Sequence, residues 1–214
     1  MTAVILANGD FPRKEYPLWL LREADVVVCC DSATSLKHLQ KLGIEPVAVV
    51  GDMDSLPAAQ RKALGSRVVK VDEQDYNDLN KAFLWLRENY PQVTDIHILG
   101  ATGKSEAHAL GNLSYLMYWE QEYHLSEQGI RVEIVSDYNT AFAVSDSCEL
   151  HVGEGRKVSL FSQDNTLRIR SKGLVWPTDE VSFDMWFRGT LNRALADVIN
   201  LQFNHPAPLL IILD

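Results

Sequence analysis

The chain has 214 residues, 46% hydrophobic and 23% charged, which fits a globular protein with one large domain or two small ones. A formal net charge of −9 argues against a nucleic-acid partner, because that binding needs clustered Lys and Arg to neutralise phosphates. Three cysteines are too few and too badly spaced for a disulfide framework or a zinc site, and no run reaches the roughly 20 apolar residues of a membrane span, so we expect a cytoplasmic protein with no membrane contact.

Short apolar runs alternate with helical patterns over residues 1–137. The predicted strands are AVILAN, DVVVCCD, PVAVVGD, RVVKVD, DIHILG and RVEIVSD, which have the near-continuous Val, Ile and Leu content of a parallel sheet covered on both faces. One predicted helix between them is SATSLKHLQKLG, with Ser32 as its cap. Another is NDLNKAFLWLRENY, with Leu79, Ala82, Phe83 and Leu86 on one face. This alternation predicts an α/β domain.

Residues 138–214 have a different pattern, with turn residues at short spacing and no helix of normal length. The predicted strands are TAFAVSD, CELHVG, KVSLFSQ, TLRIRSKG, EVSFDMWF, DVINLQF and PLLIILD. We expect an all-β sandwich whose last segment is a paired strand, joined to the α/β domain near Asp137 to Thr140.

Two aspartates follow the third predicted strand in the stretch VAVVGDMDSL. Asp52 and Asp54 are one residue apart, and like charges this close need a cation or hydrogen-bond donors. Mg²⁺ is usually held by one or two carboxylates together with substrate phosphates, so the pair predicts a magnesium site. The structural alternative, which can hold at the same time, is that Ser55 or Asp54 caps a helix in LPAAQRKALG.

Other polar residues are expected to meet this pair, because ligands of open α/β sheets bind outside the carboxyl ends of the strands. Asp31 ends the second predicted strand, although a single aspartate there is more often a cap. In EQDYNDLNKAF, Asp78 suits the first turn of a helix and can pair with Lys81 without any substrate. The glycine turn in ILGATGKSEAHALGN can cradle phosphate at a helix N-terminus, but it matches neither GxxxxGK[ST] nor GxGxxG, and His108 after it can equally be a packed surface residue.

These clusters in this order resemble the thiamine pyrophosphokinase family over nearly the whole chain. The motifs that carry the resemblance are LANGDFP, GDMDS, QDYNDLNKA, GATGKSEAH with Asn112 after it, and KGLVWP. The resemblance implies a kinase-type transferase that moves the terminal pyrophosphoryl group of ATP to the thiamine hydroxyl with Mg²⁺, giving thiamine diphosphate and AMP. It also implies an α/β catalytic, nucleotide-binding domain (1–137), a β-sandwich for thiamine binding and dimerisation (138–214), and a homodimer with active sites between subunits.

Carried over by position, Asp52 and Asp54 match the metal- and phosphate-binding aspartates of that family, and Asp31 matches its aspartate before two glycines. Trp176 could lie against the cationic thiamine ring or pack in the core. The catalytic residues so named are Asp52, Asp54, Asp75 and Asp78, with Asp52, Asp54 and Asp78 as metal ligands. The nucleotide and phosphate ligands are Asn8, Gly9, Asp31, Ser55, Gln74, Lys81, Gly100, Thr102, Gly103, Lys104, His108 and Asn112, and the thiamine ligands are Trp176, Thr190 and Asn192.

Several positions depart from the family pattern, among them Ser32 and Ala33, which stand where the two glycines after the matched aspartate are usual. Ser105 and Ala107 stand where GGRxDH has arginine and aspartate, Leu191 replaces the serine of GxSN, and Asn77 stands where threonine is usual. Loss of a guanidinium that clamps phosphate weakens transition-state stabilisation, unless Lys104 takes over part of that role. One alternative is therefore a catalytically weakened thiamine- or nucleotide-binding homologue, and another is an unrelated nucleotide-binding α/β protein with a β-domain for oligomerisation.

Overall fold

The computed structural model describes all 214 residues, which form two compact units. The first unit contains residues 1–112 and 130–137, and the second contains residues 113–129 and 138–214. None of the helices combines the length and the apolar character needed to cross a bilayer.

The first unit is a six-stranded parallel sheet with helices on its faces. Its strands are β1 (Thr2–Leu6), β2 (Val26–Cys30), β3 (Ala48–Gly51), β4 (Val68–Lys70), β5 (Asp95–Leu99) and β6 (Arg131–Val135), in the order β6-β5-β1-β2-β3-β4. Its helices are α1 (Glu15–Glu23), α2 (Ala33–Lys41), α3 (Ala58–Leu64), α4 (Asp78–Asn89) and α5 (Glu106–Tyr123), the last of which ends in the second unit. All six predicted strands are confirmed.

Helices cover both faces of this sheet, which explains the continuous apolar runs. On one face, Val4, Val27 and Val49 of the strands pack against Leu21 of α1 and Leu39 of α2. Helix α4 packs against β1, β2 and β3 with the predicted apolar face, since Leu79, Ala82, Phe83 and Leu86 are all buried. A strand buried on both sides cannot alternate apolar and polar residues.

Of the two predicted helix caps, the one at Ser32 is confirmed and the one at Ser55 or Asp54 is not. Ser32 caps α2 as predicted, because its side chain accepts a hydrogen bond from the Ser35 N–H. The predicted cap of α3 by Ser55 or Asp54 is wrong: this helix begins at Ala58, with Pro57 at the N-cap and no side-chain cap. Ser55 instead donates hydrogen bonds to two aspartates.

The second unit contains two antiparallel sheets that enclose one core. Its strands are β7 (Thr140–Val144), β8 (Cys148–His151), β9 (Lys157–Ser162), β10 (Ile169–Lys172), β11 (Asn192–Arg193), β12 (Val198–Phe203) and β13 (Leu209–Leu213). One sheet has the order β11-β9-β13-β7 and the other the order β10-β12-β8. Leu160 and Ile211 of the first sheet pack with Ile169 and Ile199 of the second, so the predicted sandwich is confirmed.

The C-terminal apolar segment is a paired strand, as predicted. Strand β13 lies between β7 and β9 and pairs with both, so it leaves no open edge. In contrast, the predicted strand EVSFDMWF is wrong. Its last residues enter a 3-10 turn (Trp186–Gly189), and Met185, Trp186 and Phe187 point outward instead of pairing in a sheet.

Candidate active site

Three carboxylates meet where strands of the first unit end. Asp31 follows β2, Asp52 follows β3, and Asp78 begins α4. One carboxylate oxygen from each of these residues lies within 4.8 Å of the other two, a spacing that suits a shared cation. The convergence arises because neighbouring parallel strands end at the same edge of the sheet.

Gly51 makes room for this cluster. A Cβ atom at this position would lie 2.5 Å from the Cβ of Asp31 and 3.0 Å from the Cγ of Asp78. Neither distance is compatible with ordinary packing of carbon atoms. Only glycine therefore allows the carboxylates of β2 and α4 to approach each other across the end of β3.

The electrostatics of the cluster favour a cation. Burial raises the pKa of Asp31, and the charges of Asp78, Asp54 and Asp52 raise it further, against a hydrogen bond from the Ser55 N–H that lowers it. Asp31 is 2% exposed, and its Oδ1 atom is buried without a hydrogen-bond partner. A buried carboxylate oxygen without a donor is costly unless a positive charge lies beside it.

The other two carboxylates have opposite pKa shifts. Burial raises the pKa of Asp78, and the ammonium of Lys81 partly offsets this effect. The N–H of Asp54 donates to Oδ1 of Asp52 at 3.2 Å, and this bond is the main reason why the pKa of Asp52 is lowered. Asp52 therefore ionises most readily of the three, and a cation at the cluster would favour the ionised forms of Asp31 and Asp78.

Asp54, a predicted metal ligand, lies outside the three-carboxylate cluster. Its Oδ1 accepts a hydrogen bond from the Ser55 hydroxyl at 2.9 Å, and its side chain is exposed. The residue between the two aspartates, Met53, is buried with a left-handed φ of 71°. This turn separates the two side chains, and Asp31 is the third member of the cluster instead. A role for Asp54 as a metal ligand stays a prediction.

The segment before and within α4 forms a second wall. Lys81 is buried, and its Nζ lies 3.5 Å from Oδ1 of Asp78, as expected for an i,i+3 pair. Asn77 caps α4 by accepting from the Asn80 N–H, and its side chain also donates to Oδ1 of Asn112 at 2.9 Å. The Asn112 amide in turn donates to the Ala101 carbonyl at 2.7 Å. Asn77 therefore ties α4 to the segment that follows β5.

The loops after β1 and β5 run side by side. The Gly9 N–H donates to the Gly100 carbonyl at 2.6 Å, and the Asp10 N–H donates to the Thr102 carbonyl at 2.9 Å. A Cβ at Gly9 would collide with both of these carbonyl oxygens. Lys104 adds a further tie, because its Nζ donates to the Asn8 carbonyl at 2.8 Å. Gly100 and Thr102 thus hold the neighbouring loop.

These segments enclose a cavity of about 470 Å³. Thirteen predicted site residues line it: Asn8, Gly9, Asp31, Asp52, Ser55, Gln74, Asp75, Asp78, Lys81, Gly103, Lys104, His108 and Asn112. Asp54, Gly100 and Thr102 are not among the lining residues. Tyr76 also lines the cavity and is not among the predicted site residues, although it lies between Asp75 and Asn77 in the motif QDYNDLNKA.

Besides Asn77, two more of the departures, Ser105 and Leu191, take part in local hydrogen bonds. Ser105 lies just before α5, and its Oγ accepts a hydrogen bond from the His108 N–H at 3.3 Å. It therefore caps the helix, which an arginine cannot do in this way. Leu191 is exposed with a left-handed φ of 57°, and its N–H donates to the Ser159 hydroxyl at 3.0 Å.

The predicted thiamine ligands lie in the second unit. The Asn192 side chain bonds the backbone of Trp176 twice, accepting from its N–H at 3.2 Å and donating to its carbonyl at 2.6 Å. Thr190 donates to the Phe187 carbonyl at 2.8 Å. The Trp176 side chain is 60% exposed, so the alternative that it packs in the core is wrong. Trp176 and Asn192 are thus brought together, with the indole facing outward.

A parallel α/β sheet with carboxylates and lysines gathered at the ends of its strands is suited to a protein that binds phosphate groups together with a cation. The comparisons identify the family. The chain belongs to the thiamin pyrophosphokinase family, because residues 18–126 match the family described as "Thiamin pyrophosphokinase, catalytic domain" and residues 140–207 match "Thiamin pyrophosphokinase, substrate-binding domain". The resemblance seen in the sequence and the predicted enzyme class, thiamine pyrophosphokinase, are confirmed.

Solved structures share the fold. Thiamine pyrophosphokinase from Bacillus subtilis is 20% identical with a TM-score of 0.75, covering 99% of this chain and 98% of its own. The protein from Geobacillus thermodenitrificans is 21% identical with a TM-score of 0.76, covering 100% and 97%. The protein from Candida albicans is 16% identical with a TM-score of 0.77, covering 99% and 89%. A comparison with curated protein sequences gives no match.

Proposed function

We propose that this chain transfers the terminal pyrophosphoryl group of ATP to the hydroxyl of thiamine with Mg²⁺, giving thiamine diphosphate and AMP. The observation that carries the proposal is the cluster of Asp31, Asp52 and Asp78, with the buried, unpartnered Oδ1 of Asp31, in a cavity that Lys81 and Lys104 also line. The choice of thiamine as the acceptor substrate follows from membership of the family. No observation favours the weakened homologue.

The carboxylates of Asp31, Asp52 and Asp78 would hold Mg²⁺, whose charge offsets that of the triphosphate. In phosphoryl-type transfer the protein mainly positions the substrates and neutralises charge, and the carboxylates and lysines of this cavity could do both. Lys81 is fixed by its ion pair with Asp78, and Lys104 is fixed by its bond to Asn8. Both ammonium groups can therefore meet phosphate oxygens without first being ordered, which reduces the entropic cost of binding.

In the reaction, the thiamine hydroxyl oxygen forms a bond to the β-phosphorus and the hydroxyl releases its proton to solvent. The bond from that phosphorus to the oxygen bridging it to the α-phosphate breaks, and AMP leaves with the bond's electron pair. Positive groups along the cavity lower the barrier, because negative charge shifts onto the leaving AMP as the bond breaks.

For thiamine itself, we propose Trp176, Thr190 and Asn192. An exposed indole is suited to lie against a cationic thiazolium ring, and Asn192 fixes the backbone that carries it. These roles give residues 138–214 the thiamine-binding part and residues 1–137 the nucleotide-binding, catalytic part. The proposed setting is the cytoplasm.

We further propose a homodimer with active sites between subunits. Strand β13 is paired on both sides, so it offers no free edge for a second copy. The support is that the second unit exposes many large apolar side chains, which a second copy would cover. They are Trp176, Met185, Trp186, Phe187, Leu191 and Leu195. A monomer in light scattering at micromolar concentration, still active, would contradict the dimer.

The direct test is incubation with ATP, Mg²⁺ and thiamine, followed by chromatography. We expect equal amounts of AMP and thiamine diphosphate, loss of both on chelation of Mg²⁺, and loss of most turnover in Asp31→Asn and Asp52→Asn. Formation of ADP instead of AMP, or binding of thiamine without turnover, would refute the proposed reaction.

A further inference from the structure

Asp137 lies in the stretch SDYNT, which the sequence suggests is only a polar join between domains. It follows the end of β6, at the edge of the sheet where the cluster of Asp31, Asp52 and Asp78 lies. Its carboxylate accepts the N–H of Arg13 at 2.9 Å and the N–H of Lys14 at 2.9 Å. The second carboxylate oxygen also lies 3.1 Å from the Arg13 nitrogen. Two backbone amides more than 120 residues away thus converge on one side chain.

No side chain near the start of α1 caps this helix. Helix α1 begins at Glu15, and its N-cap residue, Lys14, makes no side-chain capping bond. The first N–H groups of a helix need acceptors, and a negative charge near them is favourable. Asp137, which follows β6, supplies an acceptor and a negative charge to the N-cap residue Lys14 and to Arg13 before it, and β6 is separated from β1 by β5. Its bonds therefore fix where α1 starts.

The segment that Asp137 fixes is the last part of the loop between β1 and α1. The first part of this loop lines the active-site cavity through Asn8 and Gly9. Asn8 is bonded there to two residues, because its carbonyl accepts from Lys104 at 2.8 Å and its Oδ1 accepts from the Ser32 hydroxyl at 2.7 Å. A shift of the loop would move Asn8 and release Lys104, one of the two cations proposed for the triphosphate.

We propose that Asp137 is a positioning residue for nucleotide binding: it holds the β1–α1 loop so that Asn8 and Lys104 keep their places in the cavity wall. This inference rests on the proposed function for its kinetic test. A displacement of about 1 Å in a substrate-positioning group can cost on the order of 100-fold in rate, so a residue that touches no substrate can matter at this scale.

The test compares Asp137→Ala with Asp25→Ala. Asp25 is a matched control, because its carboxylate also accepts a backbone N–H, that of Thr2 at 2.8 Å, but at the opposite end of β1. We expect the KM for ATP to rise about tenfold or more in Asp137→Ala, with the KM for thiamine unchanged, and both constants to stay within about twofold in Asp25→Ala. Asp137→Asn keeps one acceptor oxygen and should fall between Asp137→Ala and the parent.

Hydrogen exchange supplies a second measurement that needs no turnover. The N–H groups of Gly9 and Asp10 are bonded to the loop after β5, and we expect them to exchange faster in Asp137→Ala than in Asp25→Ala. If exchange at Gly9 and Asp10 is the same in both variants, or if the KM values for ATP and thiamine rise together, the proposal is wrong. If Asp137→Ala does not fold, Asp137→Asn decides by the same two measurements. Absence of thiamine diphosphate from the parent would reject the proposed function, and exchange would still decide the role of Asp137.

Discussion

Replacing Gly51 with alanine places one methyl group inside the carboxylate cluster. The new Cβ would lie 2.5 Å from the Cβ of Asp31, whereas carbon atoms in contact are about 3.5–4.0 Å apart. Either the side chains or the end of β3 must therefore move by roughly 1 Å. Asp78 blocks the alternative direction, since its Cγ would lie 3.0 Å away.

The expected cost follows from this displacement. Overpacking a close-fitting site costs about 1–3 kcal/mol of stability. A 1 Å misplacement of groups that position the substrate costs on the order of 100-fold in rate, equivalent to about 2.7 kcal/mol of transition-state free energy. We therefore expect kcat/KM to fall about 100-fold and the Mg²⁺ concentration for half-maximal rate to rise, because the carboxylates can no longer share one cation at their present spacing.

The matched control is Gly111→Ala. Gly111 lies in α5 with an ordinary φ, and a Cβ there would meet nothing within 4 Å. This variant should keep its activity and gain about 0.5–1 kcal/mol of stability, since alanine favours the helix. Product chromatography over a Mg²⁺ series and urea denaturation measure both quantities. A Gly51→Ala enzyme with the rate and Mg²⁺ dependence of the parent would refute the idea that these carboxylates act together.

Three further predictions concern other parts of the molecule. Because the pKa values of Asp31 and Asp78 are raised, protons compete with Mg²⁺ at a higher pH than they would for free aspartates. The Mg²⁺ concentration for half-maximal rate should therefore rise as the pH falls, and a concentration that does not change with pH would contradict this prediction. His97 and Glu133 form a buried pair 2.9 Å apart, so Glu133→Ala should lower the free energy of unfolding, measured by urea denaturation, by about 3 kcal/mol. The double variant His97→Phe with Glu133→Leu should be nearly as stable as the parent, and equal losses in the two variants would contradict this prediction. Ser105→Arg should lower the stability by about 1 kcal/mol in thermal unfolding, whereas Ser105→Asp keeps a cap and should not; equal melting temperatures would show that the cap is unimportant.

Much of the cavity lining could be predicted because its residues follow strands that are visible in the sequence. The apolar runs ending at Cys30 and Gly51 fix where Asp31 and Asp52 stand, and the carboxyl ends of parallel strands lie at one edge. The cap at Ser32 is a local feature for the same reason, since it involves residues three apart. Periodicity, capping and strand order are properties of neighbouring residues, so a single sequence displays them.

Other features depend on tertiary structure. Asp31 joins Asp52 as expected from the strand ends, whereas the left-handed turn at Met53 places Asp54 outside the three-carboxylate cluster, and its role as a metal ligand stays a prediction. The strand predicted in EVSFDMWF does not form: Phe183 is buried in the core, but Met185, Trp186 and Phe187 are exposed and the chain enters a 3-10 turn at Trp186. Burial and backbone handedness depend on what packs around a segment, and no local pattern reports that.

The sequence by itself determined the parallel α/β unit, the β-sandwich and most of the residues that line the cavity, because each depends on periodicity or on motifs read over a few residues. Only the tertiary structure shows that the absence of a side chain at Gly51 lets the carboxylates approach each other, and that Asp137 accepts hydrogen bonds from the backbone amides of Arg13 and Lys14. Both are contacts between residues far apart in the chain, and their distances are set by the twist and order of the whole sheet.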